Sequence, residues 1–230
     1  MEMPPYFLPR PPATPDAAME AAFQALYAAQ IAPGDGGLIA YSLSAPRWQF
    51  LCWLADTQAV LLHGSGNGGI MEFEPRKSDD IDEFGNRRAV YAASDGLWPI
   101  YFAIIDRERY WVSLSNGCFR VVEDAGGLSE PFYFFSINQE ALDQRPWRPG
   151  FVYILPRASF EQQAPLRSDG LVAHVAQWAS LLPVRPLAQV AVGPEDFPFL
   201  DQIRGHDVPT LLRRAAANPS GFPWLDEEEQ

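Results

Sequence analysis

Two stretches decide the fold: residues 59–70, AVLLHGSGNGGI, and residues 88–103, RAVYAASDGLWPIYFA. Each contains a short apolar run that is broken by glycine, asparagine or aspartate, which is typical of a strand bounded by turns. The second stretch continues into an apolar segment that predicts a helix over residues 95–105. Strand-like runs recur along the chain without regular intervening helices, so the sequence predicts a single α+β domain and not a doubly wound parallel sheet.

The remaining elements follow from capping and periodicity. Thr14 is a predicted N-cap and Asp16 complements the helix dipole, so a helix is expected over residues 15–31. Asp207 likewise predicts a capped helix over residues 208–217. The sequence further predicts a helix over residues 171–181 and strands over residues 38–43, 48–54, 59–62, 89–93, 110–114, 118–122, 132–137, 151–155 and 187–192.

The composition predicts one large domain. At 230 residues, with 47% hydrophobic and 13% aromatic residues, the chain has enough apolar material for a core, so disorder of the whole chain is excluded. We expect a proline-rich extension over residues 1–13, one domain over residues 14–225 and an acidic tail over residues 226–230. The chain lacks a signal-peptide pattern and any apolar run of the roughly 20 residues that cross a bilayer. These features predict a soluble intracellular protein without a membrane partner.

Charge, cysteines and histidines narrow the possible partners. A net charge of −12 argues against nucleic acid, because binding to its phosphates requires clustered lysine and arginine. Cys52 and Cys118 both lie in apolar runs, which predicts buried, reduced thiols in a cytoplasmic protein. His63, His174 and His206 are widely separated, and no cysteine pair has metal-binding spacing, so no metal site is expected.

A glycine-rich motif at residues 64–69, GSGNGG, fits the G-x-G-x-x-G pattern of dinucleotide-binding folds. In those folds a helix opens at the motif, and its N-terminus holds the pyrophosphate. Here Pro75 follows closely and no βαβ unit continues, which disfavours this interpretation. The acidic segment over residues 78–86 lacks the spacing of a calcium loop and is predicted to be a surface loop near the mouth of a cleft.

The order of three short motifs points to a family. Leu62-His63-Gly64-Ser65 ends the first strand, Tyr91-Ala92-Ala93-Ser94 lies in the second, and Tyr101-Phe102-Ala103 follows. This pattern resembles the ADP-ribosyltransferase superfamily, in particular the branch that includes poly(ADP-ribose) polymerases. In that branch His-Gly-Ser or His-Gly-Thr closes one core strand, a tyrosine lies in the next, and a second tyrosine follows about ten residues later.

The resemblance implies a split, strongly bent antiparallel sheet flanked by helices, with NAD as a substrate in the cleft between its halves. His63 would hydrogen-bond the ribose 2′-hydroxyl and take part in catalysis. Gly64, with Ser65 beside it, would hold the nicotinamide carboxamide through close backbone contact. Tyr91 and Tyr101 would stack on the pyridinium ring.

The catalytic glutamate of that family has no counterpart in register here. The family keeps it at the start of a later strand, where it stabilises the oxocarbenium-like ribose, and that position carries Gly150. Glu161 is predicted to take the role of that glutamate, in preference to Glu140. Two functions stay open: transfer of ADP-ribose from NAD to a protein, small molecule or water, and a non-catalytic ligand- or protein-binding module. An RNA 2′-phosphotransferase would need more basic residues than this region provides.

Overall fold

Two β-sheets frame the structure. The computed structural model describes residues 3–12, 15–78, 80, 82–124, 126–168 and 171–225. Within these residues sheet A has six strands: β1 (Leu8–Pro9), β5 (Leu114–Val121), β6 (Phe132–Asn138), β9 (Leu166–Ser168), β10 (Leu171–Val175) and β13 (Arg204–His206). Sheet B has seven: β2 (Val60–Ser65), β3 (Arg76–Lys77), β4 (Arg88–Ala93), β7 (Gly150–Pro156), β8 (Glu161–Gln162), β11 (Gln177–Ser180) and β12 (Ala188–Val192).

The strand order confirms the predicted α+β class. Sheet A runs β1-β6-β5-β10-β9, with β13 also on β6, and sheet B runs β12-β7-β2-β4-β11-β8, with β3 also on β4. Paired strands are antiparallel except for β6 and β13, which are parallel. The strands predicted in the two quoted stretches and over residues 118–122, 132–137, 151–155 and 187–192 are confirmed in position.

The described residues form five α-helices: α1 (Ala17–Gln30), α2 (Arg47–Thr57), α3 (Trp98–Ala103), α4 (Gln139–Asp143) and α5 (Val208–Ala217). Asp16 is the N-cap of α1, because its side chain accepts a hydrogen bond from the Met19 amide at 2.8 Å. The helix therefore begins later than predicted, and the predicted cap, Thr14, lies outside the described residues. Asp207 caps α5 through the Thr210 amide at 3.0 Å, as predicted.

The segment that contains β10 and β11 passes directly from one sheet to the other. Strand β10 belongs to sheet A and β11 to sheet B, and only Ala176 separates them. The Ala176 amide donates to the Cys118 carbonyl of β5, and its carbonyl accepts from the Ser94 amide just after β4, both at 2.9 Å. These bonds hold the two sheets together where β10 leads into β11, and a cleft lies at this junction.

Two hydrophobic cores lie on opposite faces of sheet B. The main core packs α1, α2 and α3 against residues from both sheets and includes Cys52 and Cys118. Both cysteines are free and buried, which confirms that prediction. The smaller core covers the other face of sheet B, where Leu61 meets Phe73 and Val184.

Two predicted elements have the wrong type. Residues 48–54, predicted as a strand, lie in α2, where Phe50, Leu51 and Leu54 are buried at helical spacing. Residues 171–181, predicted as a helix, form β10 and β11, because pairing with β5 and β4 outweighs local helix propensity. Short apolar runs fit both patterns, and tertiary contacts decide between them.

Other boundaries also differ from the predictions. Among residues 38–43 the structure has only an isolated bridge between Leu38 and Gln189, and no strand covers residues 110–113. The helix predicted over residues 95–105 is limited to α3, because Asp95 forms a turn that precedes it.

The acidic segment forms a loop in its described part, as predicted. The Asp82 carboxylate accepts from the Phe84 amide at 2.9 Å, and Phe84 is buried in a small cluster with Ala89 and Ala179. Asp79 and Ile81 lie outside the described residues.

The described part of the proline-rich extension belongs to the fold. Strand β1 pairs with β6, and the Arg10 guanidinium lies 2.9 Å from the Asp95 carboxylate. The predicted acidic tail at residues 226–230 lies outside the described residues. Among the described residues, no helix combines the length and the apolar composition needed to cross a membrane.

Candidate functional site

His63 lies where β2 and β4 part. The two strands pair through Leu62 and Ala93 alone, although each strand is six residues long. Next to that pair, His63 Nδ1 lies 2.6 Å from the carbonyl oxygen of Tyr91. The imidazole therefore bonds a backbone acceptor that a continuous strand pair would otherwise engage.

This hydrogen bond fixes the protonation of His63. A carbonyl oxygen only accepts, so Nδ1 carries the hydrogen. Burial lowers the pKa of His63, the bond to Tyr91 opposes that shift, and the positive charge of Arg107 adds to it. The ring is therefore neutral at pH 7, and Nε2 is an unprotonated acceptor. Among the described residues, Nε2 has no hydrogen-bond partner.

An aromatic ring and a positive charge accompany the imidazole. The Phe73 ring lies 4.7 Å from the His63 ring, measured between centroids. Arg107 lies over the Phe102 ring at 5.8 Å and forms no ion pair with a carboxylate of the described residues. The site thus combines an open hydrogen-bond acceptor with an uncompensated cation.

Gly64 and Ser65 have clear structural roles. A Cβ at Gly64 would overlap the carbonyl oxygen of Pro99, so the missing side chain lets α3 lie directly on β2. Gly150 of β7 is equally close to the backbone of that helix. The Ser65 hydroxyl accepts from the Asn67 amide at 3.1 Å and shapes the turn after β2. The binding of a carboxamide by Gly64 stays a prediction.

The two predicted stacking tyrosines do not lie beside the His63 ring. Tyr101 is fully buried in the main core, and its hydroxyl donates to the Ser136 carbonyl at 2.9 Å. This corrects the expectation that Tyr101 lines the cleft. The Tyr91 hydroxyl lies 2.9 Å from two carbonyl oxygens of the loop before β4. Its side chain packs with a different cluster from the one that surrounds His63, so only the Tyr91 carbonyl joins the site.

Neither predicted acid lies at His63. The Glu161 side chain is 69% exposed on β8 and pairs with Arg87 at 3.3 Å. Glu140, in α4, lines a separate cavity of about 180 Å³ beside Trp111. No described carboxylate is among the charges that shift the pKa of His63.

A cleft of about 220 Å³ opens where the sheets join, and none of the predicted site residues lines it. Its polar lining includes Ser94, Asp95, Arg120, Gln162 and His174. These residues come from separate parts of the chain. The sequence predicted a helix over residues 171–181, and a helix does not place His174 beside Arg120. Only the pairing of β10 with β5 brings His174 opposite Arg120.

Both carboxylate oxygens of Asp95 accept hydrogen bonds from protein donors. Its Oδ1 accepts from the Leu97 and Trp98 amides at 2.8 Å, and its Oδ2 accepts from Arg10 at 2.9 Å and from the Tyr133 hydroxyl at 2.6 Å. Only 1% of Asp95 is exposed. The carboxylate therefore connects the N-terminal segment, the start of α3 and β6.

Thiol and metal chemistry have no support in the described residues. Burial raises the pKa of Cys52 and of Cys118, and Asp95 raises both further, so each thiol stays protonated near neutral pH. No group of three or more histidine, cysteine, aspartate or glutamate side chains that could hold a metal ion occurs in the described part of the chain.

No protein-family model, curated protein or solved structure matches this chain. The geometry around His63 is therefore the basis for the functional proposal.

Proposed function

We propose that this chain is a binding module for NAD, which holds the nicotinamide-bearing ribose at His63 and does not transfer ADP-ribose. The observation that supports it is the neutral imidazole, with Nδ1 bonded to the Tyr91 carbonyl and Nε2 open. An open acceptor at a strand end suits a sugar hydroxyl, which donates the hydrogen bond. The resemblance of residues 60–103 to ADP-ribosyltransferases is the reason for proposing that this sugar is the nicotinamide-bearing ribose of NAD.

The charge around His63 also suits NAD. Arg107 acts on the pKa of His63 and has no carboxylate partner among the described residues. The pyrophosphate of NAD would supply the missing anion, because arginine binds phosphate oxygens through charge-assisted hydrogen bonds.

The position of the carboxylates favours binding over transfer. Stabilising an oxocarbenium-like ribose requires a negative group aimed at the sugar. Glu161 is exposed and forms an ion pair with Arg87, and no carboxylate of the described residues acts on the pKa of His63. The proposal is therefore the non-catalytic alternative of the two functions that the sequence left open.

Calorimetric titration with NAD tests this proposal. His63→Asn keeps an N–H donor for the Tyr91 carbonyl but removes Nε2, and we expect it to weaken NAD binding about tenfold or more. Glu161→Gln is the matched control and should bind NAD like the wild type. The absence of binding at millimolar NAD, or equal affinity in His63→Asn, would contradict the proposal. Release of nicotinamide that Glu161→Gln abolishes would contradict its non-catalytic part.

A further inference from the structure

The cleft at the junction of the sheets has the features of a second, independent ligand site. We name it the junction cleft and define it by Ser94, Arg120, Gln162, His174 and the residues around them. Its walls are fixed, because backbone hydrogen bonds tie β4 to the β10–β11 segment and that segment to β5. Because the walls are already ordered, ligand binding does not cost the conformational entropy of ordering them.

Several polar groups line this cleft, and the protein satisfies their hydrogen bonds only in part. Arg120 and His174 are opposite each other in the register of β5 and β10, so their side chains lie on the same face, about 5 Å apart at Cβ. Among the described residues, neither the His174 ring nor the Ser94 hydroxyl has a hydrogen-bond partner. Gln162 makes only one long contact, to the Val175 carbonyl at 3.5 Å.

Arg10 and Arg120 balance Asp56 and Asp95 in charge, and Arg120 has the longest ion pair of the four residues. Arg120 contacts the Ser129 carbonyl at 3.2 Å and Asp56 only at 3.5 Å, while Asp56 is bound more closely by Arg10. Asp95 also lines the cleft, but four protein donors, Arg10 among them, compensate its charge. An anionic group can therefore bind Arg120 without displacing a strong ion pair.

One side of the cleft is apolar. Leu128 and Pro131 line this wall. A dry cavity of about 150 Å³ is enough to hold one benzene ring, so the 220 Å³ of this cleft accommodates a single ring with one polar substituent. A small anion such as phosphate would leave this wall without contacts.

We propose that the junction cleft binds a small monocarboxylate with a one-ring or branched apolar body. The carboxylate bonds Arg120, with His174 and Ser94 at its edges, and the body lies against Leu128 and Pro131. This site is separate from His63, and the proposal stands without NAD binding.

Titration with benzoate, observed through the imidazole resonances of histidine-labelled protein, tests the proposal. Benzoate is expected to shift the His174 resonance saturably in the millimolar range, while benzamide, which has the same shape without the charge, leaves it unchanged. Arg120→Gln should weaken the benzoate effect about tenfold or more, since a charge-assisted hydrogen bond is lost. Arg109→Gln, outside the cleft, should have no effect.

A second variant keeps the test decisive if Arg120→Gln is poorly folded. Leu128 is 50% exposed, so Leu128→Glu places a negative charge at the rim without disturbing the core, and it should also weaken benzoate binding. The proposal is overturned if benzamide acts like benzoate, or if His63 and His206 shift as much as His174. It is equally overturned if neither variant changes the benzoate effect.

Discussion

Asp95 follows β4 and His63 lies in β2, and these two polar residues differ in how completely the protein satisfies their hydrogen bonds. Both oxygens of Asp95 accept two hydrogen bonds each. His63 uses Nδ1 for the Tyr91 carbonyl and leaves Nε2 open. Buried polar groups are normally satisfied, because an unmet hydrogen bond costs about 1–3 kcal/mol. The contrast indicates that Asp95 stabilises the fold, whereas the open Nε2 of His63 is the group to which the proposed function assigns a ligand.

Removing Asp95 should have the largest effect. Asp95→Ala frees two buried amides and leaves Arg10 with Asp56 as its remaining carboxylate, so we expect the free energy of unfolding to fall by about 3 kcal/mol or more. Urea denaturation measures it. Asp56→Ala is the control, because the Asp56 side chain is 38% exposed, and should cost clearly less. A loss below about 1 kcal/mol for Asp95→Ala would show that the carboxylate is not structural.

Gly64 tests whether the residue beside His63 is needed for packing. Gly64→Ala forces a Cβ against the Pro99 carbonyl of α3, so we expect a loss of about 2–3 kcal/mol. Gly127→Ala is the matched control, since a Cβ there meets nothing within 4 Å and the backbone is not left-handed. Thermal or urea unfolding compares the two. Equal stability of the variants would mean that α3 does not rest on Gly64.

The pH dependence of stability should distinguish His63 from a solvent-exposed histidine. Burial holds its pKa in the folded protein below the ordinary value of 6.5, so below that pH the unfolded chain binds more protons and stability falls as pH falls. His63→Asn removes this contribution, and the slope of unfolding free energy between pH 7 and pH 5 should become shallower. His206 also has a lowered pKa, again through burial, but it contributes equally to both proteins. An unchanged slope would contradict the burial of His63.

Glu161 should have the smallest effect. Its ion pair with Arg87 is exposed, and pairs of this kind contribute about 0–1 kcal/mol. Glu161→Gln should therefore change the unfolding free energy by less than about 0.5 kcal/mol and leave its dependence on NAD concentration unaltered. A larger loss of stability, or a lost response to NAD, would place Glu161 in the site.

Local patterns predicted much of sheet B and part of the site. Residues typical of turns flank strands β2 and β4 in the sequence. His63 could be chosen as a candidate because it is a polar residue at the end of the apolar run over residues 59–62. The fate of Tyr101 could not be predicted, because a tyrosine in the core and a tyrosine in a cleft have the same local sequence. In the core its hydroxyl donates to the Ser136 carbonyl of β6, a partner that is distant in the sequence.

The junction cleft was also beyond prediction. The run over residues 171–181 has alanines at helical spacing, and only its pairing with β5 and β4 makes it extended. Once that segment was interpreted as a helix, His174 could not be placed opposite Arg120. Contacts between segments that are distant in sequence decide such cases, and local propensity carries no information about them.

The protonation state of His63 can be measured directly by long-range ¹H–¹⁵N correlation of histidine-labelled protein at pH 7, with His63→Asn to assign the signals. We predict a neutral ring with the hydrogen on Nδ1 and an unprotonated Nε2, and a change in the Nε2 shift towards a hydrogen-bonded nitrogen on addition of millimolar NAD, with Nδ1 little affected. An imidazolium, the opposite tautomer, or an Nε2 signal that does not respond to NAD would contradict the proposed binding site.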